Sequence, residues 1–369
     1  MRIGMALSGG GIRATVFHLG VLARLASSNQ LEDISFISTV SGGSLCIGLV
    51  FATNNNLWPS SNIFSSRSLH EIRSLLINQN LERRLWIRTL STPKYVLHRQ
   101  ATCLASLLQE MWGVNGNVND LPEYPRWVIN STCHETGKRW RFERKRMGDY
   151  LFGETAFPNL PISQAIAASA GVPMAVGSLI VDTKKYEWVR YTAKGEKHPI
   201  KPDYDQVHLW DGAIYDNLGV EAFAKRNDVC DFLVISDASA ALKQKNWSLL
   251  MRYKQLYDIT SNQAQSLRSR TFVDNFVKDN TKGSYLKIGG SMEYIFRNAE
   301  CHEEVPDLIS EYLSHEDAQQ AKEFGLTLRR LTAPEFDILF RHGFEVADCT
   351  LYAYSGNQFP LMTFNRWSK

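Results

Sequence analysis

The chain has 369 residues, 44% of them apolar, and a formal net charge of +3. That apolar share supports a sizeable core and excludes global disorder, while the near-neutral balance excludes the concentrated basic excess of a nucleic-acid binder. Six scattered cysteines with no C-x-x-C pair suggest neither a zinc site nor a disulfide framework, which fits a reducing cytoplasm. Met1-Arg2 leads into a short apolar run and then three glycines, so no signal peptide is expected. Nowhere do about eighteen apolar residues follow one another, so any membrane contact is expected to be peripheral.

In chain order, residues 3–7 form a short apolar run ending in glycine and are predicted to be a buried strand. Residues 14–27 are predicted to be a buried helix, 34–40 a second strand and 42–52 a second buried helix. Strand, glycine turn, helix, strand, serine turn, helix is the start of a parallel α/β sheet. Residues 53–125 are broken by Asn and Ser-Pro clusters and then turn amphipathic over 68–80, 81–90 and 102–112. They are read as a helical insertion covering one side of the sheet. Strands are expected at 126–131, 138–144, 178–182, 186–191, 207–210, 232–236 and 285–288. Helices are expected at 162–170, 219–226 and 247–278, with mostly helical text from 304 onward. One catalytic domain over 1–369, with the insertion at about 53–125 and a mainly helical C-terminal extension from about 292, is the simplest organisation.

Ser41 stands directly after the second strand and before Gly42-Gly43. A serine between strand and helix can sit on a tight elbow with its hydroxyl presented, and small neighbours relieve the crowding there. The helix N-terminus also favours the alkoxide. Thr39 occupies the place of the first glycine of a G-x-S-x-G pattern, and Ser41 could instead cap the next helix. Gly9, Gly10 and Gly11 offer successive N–H groups that can converge on one anionic oxygen, with Arg13 adding charge or bracing the loop. A plain tight turn is the alternative. The run matches neither a P-loop nor a dinucleotide fingerprint. Asp211 closes a predicted strand, with Gly212-Ala213 clearing space beside it. It can serve as a general base if burial raises its basicity, or it can be a turn aspartate. Asp216 and Asn217 read as turn-fixing residues. His18 and His208 have no diagnostic setting and are read as structural. Cys301-His302-Glu303-Glu304 lacks metal-ligand spacing and is read as a surface turn.

Gly9-Gly10-Gly11-Ile12-Arg13, Ser41-Gly42-Gly43 and Asp211-Gly212-Ala213 occur in this order. With Phe17-His18-Leu19-Gly20, Ala167–Pro173 and Phe232–Asp237 they resemble the patatin-like phospholipase family over residues 3–237. The resemblance implies a three-layer α/β/α fold with a central, mostly parallel sheet. It implies a Ser–Asp dyad mapped onto Ser41 and Asp211, and an oxyanion hole at Gly9, Gly10 and Gly11 with Arg13. Gly42, Gly43 and Gly212 would support the elbow. It implies hydrolysis of phospholipid acyl esters through an acyl-serine intermediate, without metal or cofactor, by a cytoplasmic protein acting at membrane surfaces. A lysophospholipase or neutral-lipid esterase using the same residues, or a catalytically silent lipid-binding protein, are the alternatives. A regulatory ligand or partner is compatible with this reading, and no residue identifies one. Thr39, Ala213 and Ala14 depart from common family glycines. Two stretches could meet an anionic lipid surface: Leu81–Arg88, with Lys94 and Arg99 beyond, and the Lys138–Arg146 hairpin. For each the alternative is an ordinary packed or solvated element.

Overall fold

The structure is a computed structural model that describes residues 1–91, 100–173, 175–192, 194–224, 229–239, 249–278, 280–299, 309–355 and 358–368. Lys94, Arg99 and the Cys301–Glu304 motif lie outside the described residues. Five strands build the parallel part of the sheet, the central ones buried almost throughout, as expected where both faces are covered. Strand β1 (Ile3–Leu7) lies centrally. It pairs in parallel with β2 (Ile34–Thr39) on one side and β11 (Phe232–Asp237) on the other. Strand β12 (Gly283–Lys287) flanks β11, and β3 (Arg126–Cys133) flanks β2, both again in parallel.

Alternation along these strands defines two covered faces. Ile3, Met5, Leu7, Ile37, Trp127, Ile129 and Val234 enter one core. Ala6, Phe36, Val128, Leu233 and Ile235 enter another, closed by Phe272 and Phe276 of the helix Leu249–Val277. This is the helix–sheet–helix layering that the sequence implies.

Beyond β3 the sheet changes character. An antiparallel ribbon runs through β4 (Arg139–Glu143), β5 (Arg146–Asp149), β6 (Gly153–Ala156), β8 (Trp188–Tyr191) and β9 (Lys197–Ile200). Strands β5, β6 and β9 were not expected. They are four residues long and lack an apolar run. Strand β10 (Gln206–Asp211) pairs antiparallel with β3 and carries β7 (Leu179–Asp182) on its far side. The helix expected over 219–226 is a single 3-10 turn, Val220–Ala222, within the described residues. Asp216 takes the local amides instead, accepting from Leu218 N–H (3.2 Å) and Glu221 N–H (2.8 Å).

Helix α1 (Gly11–Ala26) is buried along all sixteen residues. It packs against α2 (Gly42–Ala52) and against the long C-terminal helix Ala333–Ser355. The latter crossing is a backbone contact. A Cβ on Gly343 would lie 2.0 Å from the Phe17 carbonyl, and one on Gly20 would lie 2.1 Å from that of Phe340. Gly343→Ala is therefore expected to force the two helices apart and cost about 3 kcal/mol, read as a lower urea midpoint. The buried Arg24–Asp348 ion pair joins the same helices, and Tyr312 Oη donates to Asp348 (2.6 Å). The helices Leu69–Asn78, Leu81–Ser91 and Gln100–Trp112 occupy the predicted insertion. Their Ile72, Leu76, Leu85, Leu104 and Leu108 join the same core as β1. Among the described residues no helix is long and apolar enough to cross a membrane.

Candidate active site

The register on β3 explains how Ser41 and Asp211, 170 positions apart, come together. β2 runs parallel along β3 and ends with Thr39 opposite Ile129. β10 approaches from the other direction and ends with Asp211 opposite Ser131. The two strands thus meet end to end, separated by one residue of β3, Asn130. Asn130 Nδ2 fixes the β2 end by donating to Ser38 Oγ and to the Thr39 carbonyl, both at 2.9 Å. Thr132 Oγ1 donates to the Asp211 carbonyl (2.9 Å) and secures the β10 end.

Ser41 takes φ 49° and ψ −112°, a region costly for a residue with a Cβ. Hydrogen bonds hold the turn in place. Its own N–H donates to Ser169 Oγ (2.9 Å). Ser169 Oγ in turn meets Ser44 Oγ (2.9 Å), and Ser44 Oγ meets Thr39 Oγ1 (2.8 Å). Trp127 Nε1–H donates to Thr39 Oγ1 (2.9 Å). Thr39, the departure from the elbow pattern, is thus one link in a buried hydroxyl chain beneath the serine. Thr39→Val keeps the shape and strands the Trp127 donor, so a loss of about 1–3 kcal/mol in denaturant unfolding is expected.

The glycine turn and the serine turn are laced backbone to backbone. Val40 N–H donates to the Leu7 carbonyl (3.1 Å) and Gly43 N–H to that of Ser8 (3.2 Å). A Cβ at Gly43 would sit 2.5 Å from the Leu7 carbonyl and one at Gly42 2.4 Å from that of Gly11, so side chains are excluded at both. A Cβ at Gly9 would lie 3.2 Å from Ser41 Cβ, which places the glycine run beside the serine.

The amides of that run divide. Gly9 N–H donates to the Asn217 carbonyl (3.1 Å). Gly10 and Gly11, at φ 146° and 61°, have no acceptor for their N–H groups among the described residues. Arg13 points behind the loop. Its guanidinium donates to the carbonyls of Ala238 (3.1 Å) and Phe324 (2.6 Å), and burial lowers its pKa to about 10. Of the two roles the sequence leaves open for Arg13, the geometry selects bracing. Ile12 N–H donates to the Thr327 carbonyl (3.0 Å), so the 324–328 segment pins the loop from the C-terminal side.

Asp211 is 3% exposed and Ser41 4% exposed. The Asp211 carboxylate accepts from Ala213 N–H (2.8 Å), and the Ser41 hydroxyl lies close enough to favour its ionised form. Burial pushes its pKa up to about 7, against the smaller lowering by these two groups. Gly171 and Ser169 clamp the same turn: Asp211 N–H donates to the Gly171 carbonyl (3.1 Å) and Gly212 N–H to that of Ser169 (3.3 Å). The histidines stand apart from this pair. His18 is buried, with its ring on Ser236 Oγ (2.8 Å) and the Ser8 carbonyl (3.0 Å), and burial lowers its pKa to about 4. His208 contacts Glu135 (2.8 Å).

Sequence reasoning missed Asn130, Ser169 and Gly171 as positioning residues. The small-residue helix Ile162–Ser169 and its Gly171-Val172-Pro173 stop were the visible signal. Two open cavities, about 490 and 790 Å³, are lined by other residues, and the serine lies beneath the surface.

The sequence profile of patatin-like phospholipases matches residues 5–224, and the chain belongs to that family. Human GIVD cytosolic phospholipase A2 superposes with a TM-score of 0.52 at 12% identity, over 96% of this chain and 63% of that one. The same human protein in complex with methyl gamma-linolenyl fluorophosphonate inhibitor and terbium chloride gives 0.53 at 14% identity, over 94% and 57%. The chain thus spans less than two thirds of the length of these structures. No curated protein matches it in sequence.

Proposed function

We propose that the protein is a lipid acyl hydrolase of phospholipase A type, with Ser41 as nucleophile and Asp211 as its general base. Family membership supports the lipid acyl substrate class. The observation that carries the dyad is Ser41, on a strained turn beside the glycine loop, close to a buried carboxylate whose basicity burial has raised. Asp211 takes the hydroxyl proton as Ser41 Oγ attacks the ester carbonyl. The N–H groups of Gly10 and Gly11 receive the negative charge on the carbonyl oxygen. Gly9 and Arg13 are committed to holding the loop. When the tetrahedral intermediate collapses, the proton passes from Asp211 to the departing alcohol oxygen, leaving an acyl-serine. Water then attacks that ester as Asp211 takes its proton; when the intermediate collapses the proton passes to Ser41 Oγ, and the fatty acid leaves the restored serine.

The test is lipid mass analysis after incubation with mixed phospholipid vesicles, together with labelling by a fluorophosphonate probe. Release of fatty acid and lysophospholipid with labelling at Ser41 is the expected result. Release from lysophospholipids or triacylglycerols alone would move the substrate to the neighbouring classes. Vesicle binding with neither labelling nor release would make the protein a silent lipid binder.

A further inference from the structure

We propose that the solvent face of the helix Leu81–Ser91 is the element that seats the protein on an anionic lipid surface. This rests on the reading of the protein as an acyl-lipid hydrolase. Three large apolar side chains stand out from the helix: Trp86 is 49% exposed, Ile87 50% and Leu90 73%. At about 100° per residue they share one face with Arg83, and Arg84 borders it. Leu81, Leu85 and Thr89 are buried on the opposite side, so the helix is already anchored to the core by its other face. Arg83 and Arg84 are exposed and form no ion pair among the described residues. Aromatic and aliphatic groups mixed with free arginines suit the headgroup layer, where the rings enter the interface and the guanidinium groups meet anionic phosphates.

The rival basic stretch lacks that freedom. On the antiparallel ribbon, Arg126, Arg141 and Arg146 are spent on Glu143 and Glu154, and Trp140 and Phe142 are buried. Arg141 and Arg146 of that hairpin, with Arg126 of β3, are thus committed to an internal charge network, and its large rings are not available to a surface.

Position relative to the site favours the helix as well. Glu82 accepts from Thr327 Oγ1 (2.5 Å) and Leu328 N–H (2.8 Å). The Thr327 carbonyl in turn takes Ile12 N–H at the glycine loop. Exposed Leu326 belongs to the same segment and borders Gly11. A bilayer against the helix would therefore lie next to the loop that faces Ser41.

The experiment uses the full chain carrying Ser41→Ala, so that vesicles survive. Sedimentation is measured with vesicles of phosphatidylcholine alone and of phosphatidylcholine mixed with phosphatidylglycerol. Tighter binding to the mixed vesicles is expected. The triple variant Trp86→Asp, Ile87→Asp, Leu90→Asp should lose roughly a hundredfold in affinity. Arg83→Ser with Arg84→Ser should lose about 25-fold, on the anionic vesicles only. In the Ser41 background the triple variant should hydrolyse a soluble short-chain ester as the parent does, which separates docking from folding. Unchanged vesicle binding by the triple variant overturns the proposal. So does a change from dimer to monomer with vesicle binding intact, since the face would then receive a second copy of the chain. Helix-dependent vesicle binding by a protein that releases no fatty acid would sink the hydrolase reading and leave the docking face standing.

Discussion

Ser41→Ala is expected to reduce fatty-acid release from phospholipid vesicles by on the order of 10⁵-fold or more, the scale seen when a serine nucleophile is removed. The expectation follows from the geometry around the hydroxyl. Its turn is held by Ser169, Ser44, Thr39 and Trp127, none of which needs the Ser41 side chain to stay in place. The variant should therefore fold with a circular dichroism spectrum and melting temperature close to the parent's. It should also fail to react with a fluorophosphonate. Activity that survived the substitution in a folded protein would place the nucleophile elsewhere. Loss of activity together with loss of the thermal transition would instead mark Ser41 as structural.

Asp211→Asn should cost about 10⁴-fold in kcat/KM, because the amide accepts a hydrogen bond but takes no proton. The parent enzyme should show the same group in its pH profile. Asp211 must be ionised to act as a base, and its pKa is pushed up to about 7. The rate should therefore fall about tenfold per pH unit below 7 and level off above it.

Stability should move in the opposite direction. An aspartate raised from 3.8 to about 7 binds more protons in the folded chain than in the unfolded one throughout that interval. Folding free energy therefore declines as pH rises from about 4 to about 7, by about 4 kcal/mol at most. Asn carries no such charge, so Asp211→Asn should melt higher than the parent at pH 8, with the gap shrinking toward pH 4. A pH-independent gap, or a parent rate flat between pH 5 and 8, would show that the carboxylate titrates normally.

The parts of the site that were legible in the sequence are those specified by local chemistry. Three glycines after β1, a serine flanked by glycines after β2 and an aspartate before Gly212 each announce a particular backbone turn. Short runs rich in apolar residues, as in β1, β2 and β11, announce the strands that carry them. What brings these turns into contact is tertiary and left little trace. Asn130 reads as an ordinary strand residue until β2 and β10 are seen meeting beside it. Arg13 carries no sign of which way its guanidinium turns, because its acceptors, Ala238 and Phe324, come from far along the chain. Thr39 reads as a missing glycine, whereas its hydroxyl is used by Trp127, 88 positions away. The antiparallel ribbon escaped because charges such as Arg141, Arg146 and Glu154 sit on its strands. Those charges neutralise one another across the sheet, a pairing that alternation of apolar residues cannot reveal.

The end-to-end meeting of β2 and β10 has a consequence for the cell that makes this protein. A ribosome delivers the proposed nucleophile early and the proposed base much later, and the strap that braces the glycine loop, residues 324–328, later still. On the proposed dyad, a nascent chain therefore holds Ser41 with no carboxylate beside it until β10 is made, and hydrolyses no lipid before then.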